Sequence, residues 1–275
     1  MELKFWGVRG SVATSGAHVA RIGGNTSCLE VTHGEHRLIL DAGTGLRGLG
    51  DALAPRGPVT ATVLFSHLHW DHVQGFPFFA PAWMPSSRLE LLGPGANGEQ
   101  ALRDVLDRQM TPPTFPVPLA AMRSQLTFGS AQPGQAFERG PFRITPFEVP
   151  HPNGCLGYRI ESGGQAIVYM TDVELDAQAL APSVGQAMEG ANLLVLDAQY
   201  TREEYEGLKG PCKKGWGHST VTDAALVAKA TGAERLFLFH HDPARTDDQV
   251  EDLVELARAH HRPTEAAREG KRVVL

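Results

Sequence analysis

Short apolar runs recur along the chain, and most of them end at polar side chains or glycines. Runs rich in β-branched and aromatic residues predict buried β strands; they lie at 59–65, 142–149, 166–170, 193–196 and 235–239. Weaker runs predict further strands at 3–8, 26–32, 37–40 and 88–92. Helical spacing of apolar residues appears at 99–110, 221–230 and 247–260. These elements fit an α/β fold, in which functional sites lie where strands end.

Composition limits the class of protein. The chain has 275 residues, of which 42% are hydrophobic and 20% charged, and we expect one globular domain over 1–275. No apolar run reaches the roughly 18 residues of a membrane span, and the first residues lack the pattern of a signal peptide. Cys28, Cys155 and Cys212 are too widely spaced for a zinc ribbon and too few for a disulfide framework, which favours a cytoplasmic location.

Three histidines and an aspartate follow the strand at 59–65 within six residues. These residues are His67, His69, Asp71 and His72. His67 and His69 are two apart, so both rings can reach one ion, and Asp71 and His72 can reach a second ion beside it. Imidazole nitrogens with a carboxylate oxygen suit Zn²⁺, Mn²⁺ or Fe. The alternative, a histidine-rich surface turn, requires this spacing to arise by chance in a chain with 12 histidines.

The His67-x-His69-x-Asp71-His72 pattern resembles the signature of the metallo-β-lactamase-fold hydrolases. The resemblance implies a four-layer αβ/βα sandwich with one or two divalent metals between its two sheets. It also implies further ligands after later strands: His151 as the third histidine, Asp172 as a carboxylate bridging two ions, and His240 as the last ligand. His241 is the alternative to His240. Asp41, which follows the strand at 37–40, is implied as a support of the metal loop rather than a ligand.

Two further segments narrow the resemblance. Leu194 to Gln199 and His218 to Thr220 look like the motifs that phosphodiesterases of this family share with ribonuclease Z. The resemblance then gives Asp71, Asp197 and His218 catalytic roles, with Asp197, in place of a glutamate, holding His218. It implies that a hydroxide shared by two metals attacks phosphorus while His218 assists the leaving oxygen.

The predicted substrate is a small phosphodiester, in particular a cyclic nucleotide. Ribonuclease Z-like cleavage of precursor tRNA, lactone or thioester hydrolysis, and metal binding without catalysis are the alternatives. A net charge of −6 argues against binding of long nucleic acids, which depends on many Lys and Arg contacts. The basic arm that grips tRNA in ribonuclease Z is absent.

Other residues are candidates for contacts with the substrate or a partner. Arg9, Lys213, Lys214 and His241 could contact the substrate phosphate, although a single basic residue is more often a solvated loop charge. The aromatic segment 76–83 either packs in the core or forms a pocket wall that could stack a base. The proline-rich stretch at about 93–128 is predicted to be an insertion that acts as a lid or a homodimer contact.

Overall fold

A computed structural model describes all residues, 1–275, and contains two seven-stranded sheets. The first sheet has the order β14-β1-β2-β3-β4-β5-β6, with strands β1 (Glu2–Gly7), β2 (Cys28–His33), β3 (His36–Leu40), β4 (Thr60–Leu64), β5 (Arg88–Pro94), β6 (Gln125–Ala131) and β14 (Arg272–Val274). The strands from β3 to β6 are parallel, and the others in this sheet are antiparallel.

The second sheet has the order β13-β12-β11-β10-β9-β8-β7. Its strands are β7 (Phe137–Arg139), β8 (Phe142–Val149), β9 (Cys155–Ser162), β10 (Gln165–Met170), β11 (Leu193–Asp197), β12 (Leu236–Phe239) and β13 (Thr264–Ala266). The strands from β10 to β13 are parallel, and those from β7 to β10 are antiparallel. Each sheet therefore has a parallel half, whose connections carry the helices.

Seven α-helices connect or flank these strands. They are α1 (Gly45–Leu53), α2 (Trp70–Val73), α3 (Gly98–Gln109), α4 (Pro182–Met188), α5 (Arg202–Tyr205), α6 (Val221–Ala230) and α7 (Asp247–Arg258). No helix combines the length and the apolar character that crossing a membrane requires.

Two hydrophobic clusters establish the layers. The larger cluster joins inward residues of both sheets, such as Phe5 and Ile160, to apolar residues of α6 and α7. The smaller cluster packs α1 and α3 against the outer face of the first sheet. The layers follow the order helix, sheet, sheet, helix, which confirms the predicted four-layer αβ/βα sandwich. Strands β11 and β12 are buried at every position because sheet and helices cover both of their faces.

The segment at 93–128 is not an insertion, and that prediction is wrong for most of its length. Helix α3 connects β5 to β6, which pairs with β5 in parallel, so the segment completes the first sheet. Leu102 and Leu106 of α3 are fully buried against that sheet. The stretch 110–124, which contains four of the prolines, links helix α3 to strand β6.

Candidate metal and catalytic site

The candidate site lies where parallel strands of both sheets end. Asp41 follows β3, Ser66 and His67 come just after β4, Asp172 comes just after β10, Asp197 ends β11 and His240 follows β12. Because the carboxyl ends of parallel strands meet at one edge, residues distant in sequence converge there.

The first group of metal-ligand candidates contains His67, His69, His151 and Asp172, with one atom of each within 4.8 Å of the others. Nε2 of His67 lies 3.7 Å from Oδ1 of Asp172, and Nε2 of His151 lies 3.8 Å from the same oxygen. Nδ1 of His69 is 3.3 Å from Nε2 of His151. Three imidazoles and one carboxylate oxygen therefore face a common point.

The second group contains Asp71, His72 and His240. Nε2 of His72 and Nε2 of His240 each lie 3.1 Å from Oδ2 of Asp172. The same two nitrogens lie 3.2 and 3.3 Å from Oδ2 of Asp71. One oxygen of Asp172 thus faces each group, as a bridging carboxylate requires.

The residues fit divalent metal ions. Nε2 of His67 and Nε2 of His72 are buried and have no hydrogen-bond partner, although a buried polar atom normally has one. The opposite nitrogens are engaged: Nδ1 of His67 lies 3.1 Å from Oγ of Ser66, and Nδ1 of His72 lies 2.9 Å from Asp41. Histidines that bind metals have this arrangement, with one nitrogen free and the other held.

Asp41 holds the predicted metal loop by contacts to Ser66 and His72 and is not a member of either group. Its carboxylate accepts hydrogen bonds from the Ser66 amide and hydroxyl and from the Tyr169 hydroxyl, and it faces Nδ1 of His72. It thereby ties the start of the metal loop to the second sheet.

His240 and His241 have different environments. Nδ1 of His240 lies 3.1 Å from Nε2 of Gln199, which leaves Nε2 facing Asp71 and Asp172. His241 is fully buried, and its Nε2 lies 3.1 Å from the carbonyl oxygen of Ala267. Burial lowers the pKa of His241 to about 3. The suggestions that His241 is the last ligand or a substrate contact are therefore wrong.

His218 stands beside both groups. Nδ1 of His218 lies 2.7 Å from Oδ2 of Asp197, and Oδ1 of Asp197 accepts a hydrogen bond from the Ser219 amide. Nε2 is the free ring nitrogen, and His218 forms a third group of metal-ligand candidates with Asp172 and His240, with one atom of each within 4.8 Å of the others. The aspartate, although shorter than a glutamate, makes the predicted contact.

The carboxylates around the second group favour positive charge on its histidines. Burial alone lowers the pKa of a histidine, yet Asp172 and the other carboxylates raise the pKa of His240 to about 10. His72 is likewise buried, and Asp71, Asp172 and Asp41 hold its pKa well above the ordinary value. Burial opposes ionisation of Asp71, but His72 and His240 keep its pKa below the ordinary value. Such a site favours cations.

Backbone strain is concentrated here. Five non-glycine residues have φ between +48° and +67°, and all lie in or next to the site: Ser11, Asp41, Asn153, Asp172 and His240. The left-handed region costs an L-residue free energy, and such residues are concentrated at functional sites. Asp172 and His240 take this conformation within two residues of a strand end, beside the other ligand candidates.

Of the three predicted basic contacts, Arg9 is wrongly assigned. It is fully buried, donates to the carbonyl oxygens of Gly23, Asp242 and Arg245, and cannot reach a substrate. Lys213 is half-buried, with its ammonium 3.9 Å from the Trp216 ring centroid, and Lys214 is exposed. Both lysines lie on the loop that leads to His218 and stay predictions.

Sequence reasoning missed several residues that support the site. The Ser11 amide donates to Oδ2 of Asp71, and Gln199 faces His240. Glu174 accepts hydrogen bonds from the amides of Gly215 and Gly217. Gln199 belongs to the 194–199 motif and Glu174 lies two residues after Asp172, but these positions alone do not reveal the contacts.

Comparisons with known proteins agree with this geometry. The beta-lactamase superfamily domain matches residues 36–241. The ribonuclease Z of Haloarcula marismortui is 23% identical over 313 residues, covering 94% of this chain and 91% of that protein.

Solved structures share the fold. The metallo-beta-lactamase fold protein YhfI from Bacillus subtilis is 22% identical, with a TM-score of 0.72 over 99% of this chain and 98% of that one. A diphosphatase from the PhnP family is 16% identical, with a TM-score of 0.72 over 100% of this chain and 97% of that one. The match over 36–241 confirms the resemblance to the metallo-β-lactamase-fold hydrolases, and this chain belongs to the beta-lactamase superfamily.

Proposed function

We propose that the protein is a metal-dependent phosphodiesterase that hydrolyses a small phosphodiester, in particular a cyclic nucleotide. The observation that carries this proposal is the His218–Asp197 pair, at 2.7 Å, beside two ligand groups that share Asp172. A positioned acid next to two metal ions suits displacement at phosphorus.

Each part of the site has a distinct role in this proposal. His67, His69, His151 and Asp172 would hold one ion, and Asp71, His72, His240 and Asp172 the other, with Zn²⁺, Mn²⁺ or Fe as candidates. When bound, the ions supply Lewis-acid stabilisation of charge on the phosphoryl oxygens.

His218 is the proton donor in this scheme. Asp197 is fully buried and accepts a hydrogen bond from Nδ1–H of the imidazole, which directs Nε2 toward the ligand groups. A proton on Nε2 can pass to the leaving oxygen, or its positive charge can stabilise the transition state. Lys213 and Lys214 add positive charge on the adjacent loop, where they could contact the substrate phosphate.

Ribonuclease Z-like cleavage is the second candidate, because the relative from Haloarcula marismortui carries that name and matches 94% of this chain. The formal charge of −6 favours a small substrate over a long polyanion, whose binding normally requires many basic contacts. Lactone or thioester hydrolysis gains no support from a histidine placed as His218 is. The homodimer and the cytoplasmic location stay predictions.

A substrate panel tests the proposal. The protein, loaded with Mn²⁺ or with Zn²⁺, would be assayed on bis-p-nitrophenyl phosphate, cyclic nucleotides, precursor tRNA and a lactone. We expect cyclic nucleotides to be opened to monophosphates with only mild dependence on salt, since few counterions are released. Faster cleavage of precursor tRNA with steep salt dependence would establish the ribonuclease alternative instead.

A further inference from the structure

A large pocket beside the site has no role in the chemistry described above. It has a volume of about 840 Å³ and lies between α1, α2, α3 and the proline-rich loop after α3. Trp70, Phe78 and Phe115 supply aromatic walls. Trp70 and Phe78 are 65% and 58% exposed, and Phe115 meets Phe78 edge to face at 5.8 Å between ring centroids.

The pocket adjoins the ligand groups. Trp70 is the residue between His69 and Asp71, so the same turn presents a metal-ligand candidate on each side of a pocket wall. Ala13 lines the pocket two residues after Ser11, whose amide donates to Asp71. One wall of the pocket and two ligand candidates therefore lie on three consecutive residues, 69–71.

The residues that line the pocket favour a group with hydrogen-bond acceptors or negative charge. Arg47 and Arg108 line the pocket, and no aspartate or glutamate is among the lining residues. Arg47 forms an ion pair with Asp51, whereas Arg108 has no ion-pair partner. The absence of acidic lining residues contrasts with a chain of 31 acidic and 25 basic residues. The side-chain amides of Gln74 and Gln109 add hydrogen-bonding groups to the same walls.

We propose that this pocket binds the nucleobase of the substrate nucleotide; the inference rests on the proposed phosphodiesterase function and specifies its substrate class. A base has a flat π face for Trp70, Phe78 or Phe115 and acceptor atoms for the guanidinium and amide donors. An alkyl chain would leave those donors unpaired, which costs binding free energy. Base stacking on one aromatic ring corresponds to roughly 5- to 150-fold in affinity.

A binding experiment tests the pocket without relying on turnover. The metal-loaded protein would be titrated with adenosine 5′-monophosphate and with ribose 5-phosphate by calorimetry. We expect the nucleotide to bind roughly tenfold or more tightly, and Phe115→Ala and Arg108→Gln each to reduce that preference several-fold. Leu208→Ala and Arg143→Gln are matched controls, because both residues are exposed and outside the pocket. Equal affinities for the two ligands would overturn the proposal.

A hydrolysis experiment separates the two proposals. Thymidine 5′-p-nitrophenyl phosphate and methyl p-nitrophenyl phosphate share a leaving group but differ in the base. We expect wild-type kcat/KM to favour the thymidine ester and Phe115→Ala to remove much of that preference through KM, with the methyl ester unaffected. If neither ester is hydrolysed but binding still depends on the base, the phosphodiesterase proposal is rejected and the nucleobase pocket is retained.

A second copy of this chain is the competing occupant of the pocket. Sedimentation velocity on the wild type, Phe115→Ala and Arg108→Gln measures this possibility directly. We expect the three proteins to have the same oligomeric state. A dimer that dissociates in Phe115→Ala while the preference for adenosine 5′-monophosphate is unchanged would assign the pocket to a subunit interface and reject the nucleobase proposal.

Discussion

The two ligand groups share Asp172 but differ in how their other members are held. In the second group, the Ser11 amide holds Asp71, Asp41 faces His72, and Gln199 and Asp197 face His240; all three members are buried. In the first group, the side chains of His67, His151 and Asp172 are each only 3% exposed, and His69 is half-buried. Nε2 of His69 has only the exposed Asn153 at 3.4 Å, and Nδ1 of His151 faces the Gly217 carbonyl.

Charge separates the groups as well. Asp71, Asp172, Asp41 and Asp197 all lie within 3.4 Å of a ring nitrogen of His72 or His240. Asp172 is the only carboxylate among the members of the first group. Since metal affinity follows ligand charge and rigidity, we infer that the second group binds its ion more tightly. In the first group only His69 is partly open to solvent, with the exposed Asn153 as the contact of its Nε2.

Removal of the shared carboxylate of Asp172 should abolish the difference in metal affinity between the two groups. It should also cause the largest loss of turnover. We expect Asp172→Ala to lose both ions and to lower turnover by roughly a thousandfold or more, because Lewis-acid stabilisation contributes several kcal/mol. Elemental analysis after dialysis measures the metal content, and circular dichroism checks the fold. Two ions retained by the variant would contradict the bridging role of Asp172.

The second-largest loss of turnover is expected from substitution of His218, which should impair the chemical step without removing the metal ions. We expect His218→Ala to reduce turnover by about 10²–10⁴-fold, the usual contribution of a positioned acid or base, while both ions remain bound. Asp197→Ala should change turnover in the same direction by a smaller factor. A His218→Ala protein that loses metal and recovers activity when metal is restored would make His218 a ligand.

Substitution of the residues that contact the ligand candidates should lower metal affinity more at the second group than at the first. We expect Asp41→Asn to weaken metal binding at the second group by roughly 10- to 100-fold, because it alters the partner of Nδ1 of His72. Asn153→Ala is the counterpart in the first group, and we expect little change there since its contact is exposed and long. Chelator competition measures the metal affinity of both groups. Equal losses of affinity in the two variants would contradict the inference that the second group binds its ion more tightly.

The ligand candidates could be predicted because they follow strands whose apolar runs are visible in the sequence. His67, His69, Asp71 and His72 form one local pattern, and the resemblance to the family implied His151, Asp172 and His240 after later strands. Arg9 was misassigned because a basic residue in a glycine-rich turn gives no sign that the turn is buried. Strand β6 was missed because its sequence, QLTFGSA, is weakly apolar and follows a proline-rich loop.

The conformations that complete the site could not be predicted for a different reason. Positive φ at Asp41, Asp172 and His240 arises because tertiary contacts outweigh the local preference of each residue. Glu174 likewise acts through a loop that starts about 30 residues later, and no spacing rule links the two segments.

The smallest predicted effect concerns that remote support of the first group. Oε1 of Glu174 accepts hydrogen bonds from the Tyr205 hydroxyl at 2.5 Å and the Gly215 amide at 2.9 Å, and Oε2 accepts one from the Gly217 amide at 2.9 Å. The carbonyl of Gly217 lies 3.0 Å from Nδ1 of His151, and the next residue is His218. Glu174 therefore orients a metal-ligand candidate and the proposed acid through one peptide.

We expect Glu174→Ala to lower turnover about tenfold, equivalent to the roughly 1.4 kcal/mol of one lost orienting hydrogen bond. Occupancy of the first group should fall while that of the second is unchanged, a result that a general loss of stability would not give. Glu174→Gln should recover part of the activity, because its amide oxygen at the Oε2 position still accepts the hydrogen bond from the Gly217 amide. Glu206→Ala, an exposed position on the same loop, serves as the control. Unchanged turnover and metal content in Glu174→Ala would mean that the strand ends alone position His151, and the two groups would then differ less in their support than the contacts indicate.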